Sequence, residues 1–108
     1  TSMSSLRETL SARVAKAIKD ITDEVSEKLY KAVVNDLMAG ADAGDSGVDL
    51  TPVYNEYTGK YDSMLRNGII KRVEEKLASE GVEVEHCNNF GADVAWVTLY
   101  KSEDTSKQ

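Results

Sequence analysis

The chain has 108 residues, which is enough for one domain with a modest hydrophobic core and leaves no room for a second core. Hydrophobic residues make up 41% of it and charged residues 30%, with a single proline, a composition that excludes a disordered or low-complexity protein. The formal net charge of −6 argues against nucleic-acid binding over the whole surface, because such a surface repels phosphates.

The first predicted element is a long amphipathic helix from Ser5 to Ala39. Ser5 and Glu8 form a capping-box pattern at its start, and Gly40 is predicted to end it. Its apolar residues recur at steps of three or four and are Leu6, Leu10, Val14, Ile18, Ile21, Val25, Leu29, Val33 and Leu37.

This helix is too long for one compact domain. It would extend for about 50 Å, whereas a domain of this size has a radius of gyration of about 13 Å. The helix must therefore break or project. Steps of four turn the apolar stripe by about 40° each, so its first third faces in a different direction from the remainder. We expect a second copy of the chain to cover that third, with an interface that contains Leu6, Leu10, Val14 and Ile18.

The segment after the first helix is rich in Gly, Asp and Ser and is predicted to be a connection. Within it, Gly47 to Val53 alternates apolar and polar residues, which indicates a short strand. Pro52 predicts that this strand lies at a sheet edge or ends there. A second amphipathic helix is predicted from Tyr61 to Ser79, with Gly81 as its stop signal.

The sequence VEVEHCNNFGADVAWVTLY predicts a C-terminal β-hairpin, because two alternating runs flank a turn that contains Asn and Gly. With Asn89 to Ala92 as the loop, Val84 lies opposite Val97. Val82 then lies opposite Leu99, which gives one aliphatic face. The other face is too apolar for plain solvent exposure, and we expect the long helix, a second subunit or a ligand to cover it. That face carries Glu83, Glu85, Val94, Trp96, Thr98 and Tyr100.

These elements predict a single α+β domain over residues 3–101. Two helices, the first one long, pack on a small antiparallel sheet in the order α-β-α-β-β. Residues 102–108 are predicted to form a disordered polar tail. We expect a homo-oligomer that assembles through the first helix, with Trp96 and Tyr100 adding to the interface.

The motifs of the chain predict no enzyme. Gly44-Asp45-Ser46-Gly47 matches the sequence around the nucleophile of chymotrypsin-like proteases, but such an enzyme has a histidine ahead of the serine, and the only histidine here, His86, follows it. His86 and Cys87 are neighbours on a predicted strand, so their side chains point to opposite faces and cannot act as base and nucleophile. We expect no catalytic residue, no metal site and no cofactor.

The partners predicted from the sequence are a second copy of the chain or another protein. The chain contains no apolar run of the roughly 18 residues that a membrane span needs. The single cysteine excludes an internal disulfide and fits a reducing compartment. We therefore expect a cytoplasmic protein with no membrane partner.

A nucleic-acid function stays open as an alternative. A basic helix followed by a hairpin is the order of a winged-helix module, whose helix enters a DNA groove. The acidic residues Glu83 and Glu85 of the hairpin argue against it, because a wing needs cations near phosphate. An acidic surface could instead act as a decoy of nucleic acid. The candidate basic residues are Arg66, Lys71, Arg72 and Lys76.

A small-molecule function is the other alternative. Tyr54, Tyr57 and Trp96 are candidate residues for stacking a nucleotide base or anchoring a partner. Aromatic rings provide a large contact area at a small entropic cost. Packing in the core or at a subunit interface would explain the same residues.

The helix end LASEGVEVE and the final strand VAWVTLY resemble, in pattern, small α/β proteins of unassigned function from tailed-phage genomes. In those proteins a helix ends at a glycine, leads into a strand such as GVEVE, and a final strand contains a tryptophan. The similarity covers about Ala32 to Lys101 and carries no catalytic signature. It implies expression in a host cytoplasm and a role as a virion component, an assembly factor or an inhibitor of a host protein.

Overall fold

The computed structural model describes residues 2–89 and 92–99. Within these ranges the elements are α1 (Ser2–Asp42), β1 (Gly47–Asp49), α2 (Thr51–Thr58), α3 (Ser63–Ser79), β2 (Glu85–Asn89) and β3 (Ala92–Thr98). The predicted α+β class with a small antiparallel sheet is confirmed. The predicted order is wrong in one element, because a third helix, α2, follows β1. The predicted tail and Tyr100 lie outside the described residues.

The first helix is one unbroken element of 41 residues. Only its C-terminal half packs on the remainder of the chain, and the molecule extends 69 Å along its longest axis and 29 Å along the next. Of the two outcomes expected for so long a helix, projection is therefore the one observed.

Gly40 does not end this helix, contrary to the prediction. It lies inside the helix and is buried, and a Cβ atom there would lie 2.6 Å from Cγ2 of Val48. The stop is Gly44, whose φ of 82° suits glycine. The amide of Asp45 donates to the carbonyl of Gly40 at 2.9 Å, and the amide of Gly44 donates to that of Ala41 at 3.1 Å, as in a Schellman motif. The absence of a side chain at Gly40 thus lets β1 pack closely against α1.

Helix α2 replaces the second half of the strand that was predicted from Gly47 to Val53. Pro52 stands in its first turn, where the missing amide proton costs nothing. The Oδ1 atom of Asp49 accepts a hydrogen bond from the amide of Thr51 at 2.9 Å and so turns the chain out of the strand. The prediction that the strand ends near Pro52 is therefore confirmed, and the prediction of a connection beyond it is wrong.

Helix α3 matches the predicted second helix to within two residues. Asp62 caps its start by accepting from the amide of Leu65 at 3.1 Å. At its end Gly81 has a φ of 87°, and the amide of Val82 donates to the carbonyl of Leu77 at 2.9 Å. The predicted stop at Gly81 is confirmed, and it directs the chain into the hairpin.

The sheet has the strand order β1-β3-β2, and both pairs are antiparallel. Glu85 lies opposite Trp96, an offset that agrees with the predicted hairpin register. The predicted loop was too long, because Asn89 already pairs with Ala92. Strand β1 joins the other side of β3, with Val48 opposite Val97.

The core lies between one face of the sheet and the three helices. The amide of Leu50 donates to the carbonyl of Ala95 at 2.7 Å, which brings the start of α2 to the central strand. The buried apolar residues of helix α1 begin at Leu29, and Ile21 and Val25 pack against the edge of the core. The buried apolar residues are Leu29, Val33, Leu37, Leu50, Val53, Tyr54, Ile69, Val73, Leu77, Ala95 and Val97.

Gly68 weakens α3 without serving its packing. It is exposed in the middle of the helix, and no atom lies within 4 Å of the position that a Cβ would take. We expect Gly68→Ala to raise the free energy of unfolding by about 1 kcal/mol, because alanine loses less backbone entropy in a helix. Urea unfolding followed by circular dichroism measures this, and a lower stability would contradict it.

The same substitution at Gly47 should have the opposite effect. A Cβ atom there would lie 2.5 Å from Cε2 and 2.8 Å from Nε1 of Trp96, so the indole must move. We expect Gly47→Ala to lower the free energy of unfolding by roughly 1–3 kcal/mol. It should also shift the emission of Trp96, the only tryptophan of the chain. Unchanged fluorescence would show that the ring does not pack on Gly47.

Candidate interaction site

The N-terminal part of α1 projects from the body of the protein. We call residues 2–20 the arm. Every arm residue from Leu6 onward is exposed. Four aliphatic side chains on one side of the arm form an apolar stripe about 18 Å long, at the residues predicted to lie in an oligomer interface. They are Leu6, Leu10, Val14 and Ile18, with 62%, 52%, 57% and 41% of their surface exposed. A row of large aliphatic residues at helical spacing is typical of an interaction surface.

Local interactions contribute little to the stability of the arm. Lys16 pairs with Asp20 at 2.9 Å, and Lys19 pairs with Asp23 at 3.2 Å. The hydrogen bond to Asp20 raises the pKa of Lys16. Exposed pairs of this kind contribute little, and most of the stability of a helix in a protein comes from the packing of its apolar face. The arm therefore depends on its continuation into the body and on whatever covers the stripe.

The arm ends where α1 first meets α3. Ile21 and Val25 are half-buried there. Arg72 of α3 forms an ion pair with Asp23, and its hydrogen bond, together with that of Lys19, lowers the pKa of the Asp23 carboxyl. These contacts fix the direction in which the arm leaves the body.

The four basic residues predicted as a nucleic-acid strip do not share one surface. Arg72 is engaged by α1, and the Lys76 ammonium lies 4.5 Å from the centre of the Tyr30 ring. Arg66 donates to Oδ1 of Asn55 at 2.6 Å on the side of α2. Lys71 is exposed and points about 140° away from Arg66 around the helix. Three of the four side chains thus take part in contacts between helices.

The three aromatic residues predicted as a ligand surface are also separated. Tyr54 belongs to the core, with 3% of its surface exposed. Tyr57 is half-buried against that core. Trp96 lies on the outer face of the sheet, where its indole packs over Gly47. No single surface brings these three rings together.

Tyr54, Glu74 and His86 form a polar cluster that sequence reasoning missed. The hydroxyl of Tyr54 donates to Oε2 of Glu74 at 2.9 Å, and the same oxygen lies 2.7 Å from Nε2 of His86. Burial, and then the charge of Glu74, raise the pKa of Tyr54. The cluster ties α2, α3 and β2 together. The partner of His86 lies 12 residues away in the sequence.

Two classes of site are not found among the residues that the structure describes. No group of three or more His, Cys, Asp or Glu side chains is placed to hold a metal ion. No helix in these ranges has the length and apolar character that a membrane span requires. Cys87 is an exposed free cysteine on β2.

A groove of about 570 Å³ opens between the C-terminal half of α1, the end of α3 and the hairpin. Its walls are largely aliphatic, and three glutamates, Glu80, Glu83 and Glu85, also line it. Sequence reasoning missed the groove because its walls come from three segments that are distant along the chain. The aliphatic walls include Val34, Leu37, Met38, Val82, Val97 and Leu99.

Comparison of the chain with protein-family models, with curated proteins and with solved structures found no significant match.

The buried tyrosine gives the stability of the fold a pH dependence. Because the folded pKa of Tyr54 lies above its ordinary value of 10.0, its contribution is present below about pH 10 and is lost as the pH rises further. We expect the wild type to lose stability more steeply above that pH than Tyr54→Phe, as measured by urea unfolding. Tyr57→Phe is the matched control and should follow the wild type. Parallel curves for all three proteins would contradict this account.

Proposed function

We propose that this protein is a non-enzymatic assembly protein that forms a homo-oligomer through its arm. The observation that carries the proposal is the row of four exposed aliphatic side chains on a helix that leaves the body. Fully burying one such side chain contributes about 1.5–3 kcal/mol. Four of them in each interface would offset a substantial part of the cost of association.

The alternatives have less support from the described contacts. A winged-helix function would need the basic side chains of α3 to face a phosphate backbone, but Arg66, Arg72 and Lys76 are already engaged by other helices. A nucleotide-like ligand would need Tyr54 at a surface, but its ring is buried. The apolar stripe of the arm can be explained without either of these alternative functions.

The setting that we propose follows from the resemblance to small proteins of tailed phages. A protein of that kind would act in the cytoplasm of the host as a virion component, an assembly factor or an inhibitor of a host protein. Each of these roles can use an oligomer that presents several copies of the same surface. Another protein could then bind that assembly.

The test is the solution mass of the wild type and of two arm variants, measured by size exclusion with light scattering over a range of concentrations. Leu10→Asp with Val14→Asp places two charges in the stripe. We expect this variant to dissociate, with an association constant lower by at least about tenfold for each residue lost from the interface.

The matched control is Ala12→Asp with Ala15→Asp, which adds the same charge on the opposite side of the arm. This control should keep the wild-type mass. Circular dichroism checks that both variants remain helical. A wild type that stays monomeric at high micromolar concentration would overturn the proposal.

A further inference from the structure

We propose that the arm of one chain docks in the groove of a second copy, with its arginines against the glutamates of that groove. This inference rests on the proposed homo-oligomer and names the surface that receives the arm. The contact joins two different surfaces of the chain.

The arm carries charge of the opposite sign to the remainder of the chain. Residues 2–20 contain four basic and two acidic residues, a net charge of +2, which leaves −8 for the rest of the chain. Lys16 and Lys19 pair within α1, but Arg7 and Arg13 have no ion-pair partner among the described residues. Helical geometry places Arg13 within about 20° of Leu6 and Arg7 within about 20° of Ile18. Both arginines therefore border the apolar stripe.

The groove has the complementary character. Aliphatic side chains of α1, α3 and β3 line it, and Glu80, Glu83 and Glu85 add negative charge. None of these glutamates forms an ion pair with a described residue. Glu80 is the C-cap of α3, where the helix dipole disfavours an acidic side chain. A segment that is both basic and apolar complements the aliphatic walls of the groove and the charges of its glutamates.

The occupant of the groove must come from another chain. Met38, in the groove, lies 20 residues after Ile18 on the same unbroken helix, which separates them by about 30 Å. An arm that remains part of this helix therefore cannot reach its own groove. A second copy supplies an identical arm that is not tied to this groove by its own helix.

Docking of an arm in a groove agrees with the charges of the chain better than pairing of two arms does. Two arms of net charge +2 repel each other, whereas the glutamates of the groove attract an arm. The stripe and the groove face roughly 160° apart around α1. Because these two directions are nearly opposite on one unbroken helix, two copies cannot each place an arm in the groove of the other. The contact is then head-to-tail, and copies join into a closed ring or a filament.

Charge reversal on the full chain tests this inference. Arg7→Glu with Arg13→Glu reverses the arm, and Glu80→Lys with Glu83→Lys reverses the groove. We expect each pair of substitutions to weaken association by at least about tenfold, because like charges then face each other. Combining all four should restore association toward the wild-type value, and it returns the net charge to −6. Light scattering and sedimentation velocity measure the association of each protein.

The controls are exposed residues away from both surfaces. Lys60→Glu with Lys71→Glu matches the arm reversal in charge, and Glu56→Lys with Glu75→Lys matches the groove reversal. Both controls should keep the wild-type mass, and thermal melting checks that every variant folds.

The outcomes separate this inference from the proposed function. Loss of association on arm reversal, no effect of groove reversal and no rescue by the combination would overturn docking in the groove and leave assembly through the arm in place. A wild-type dimer as the largest species would overturn the head-to-tail arrangement. A monomeric wild type would overturn both proposals.

Discussion

The fold depends on the burial of one side of the C-terminal half of α1 against α3 and the inner face of the sheet. Leu29 and Val33 are fully buried there, and they meet Ile69, Val73 and Val97 from the other elements. Because α1 is a single rigid helix, fixing this half also fixes the direction of the other half. The arm projects because a straight helix of 41 residues is much longer than the 29 and 25 Å that the molecule measures along its two shorter axes.

Two glycines allow β1 to fit between its neighbours. Gly40 lets α1 approach Val48 on one side of the strand, and Gly47 makes room for the indole of Trp96 on the outer face. Strand β1 has three residues and depends on this close packing as well as on its pairing with β3. The short strand in turn places the start of α2, since Leu50 bonds to Ala95 and Asp49 caps the turn. Two glycines thus make room for the strand, and the residues that follow it place the start of the helix.

Some charged residues of the chain form contacts between helices, and others do not. Arg72 and Lys76 hold α3 against α1 through Asp23 and Tyr30. Arg7 and Arg13 of the arm and the glutamates of the groove take no part in such contacts among the described residues, and they lie beside apolar surface. The proposed assembly of copies rests on these opposite charges, which border two exposed apolar surfaces of one chain.

The sequence by itself determined the elements whose signals are local. The apolar periods of α1 and α3 and the stop at Gly81 depend on residues within a few positions of one another, and the register of the hairpin depends on two runs joined by a short turn. The sequence also showed that a helix of this length must break or project, and the structure shows that it projects and leaves Leu6, Leu10, Val14 and Ile18 exposed. Only the tertiary structure decided which glycine stops α1, that Thr51–Thr58 is helical, that Glu74 joins Tyr54 to His86, and that three distant segments form the groove. These features depend on which side chains meet across the core. A glycine looks the same in the sequence whether it allows a turn or a close contact. An alternating pattern likewise does not show where a strand ends and a helix begins.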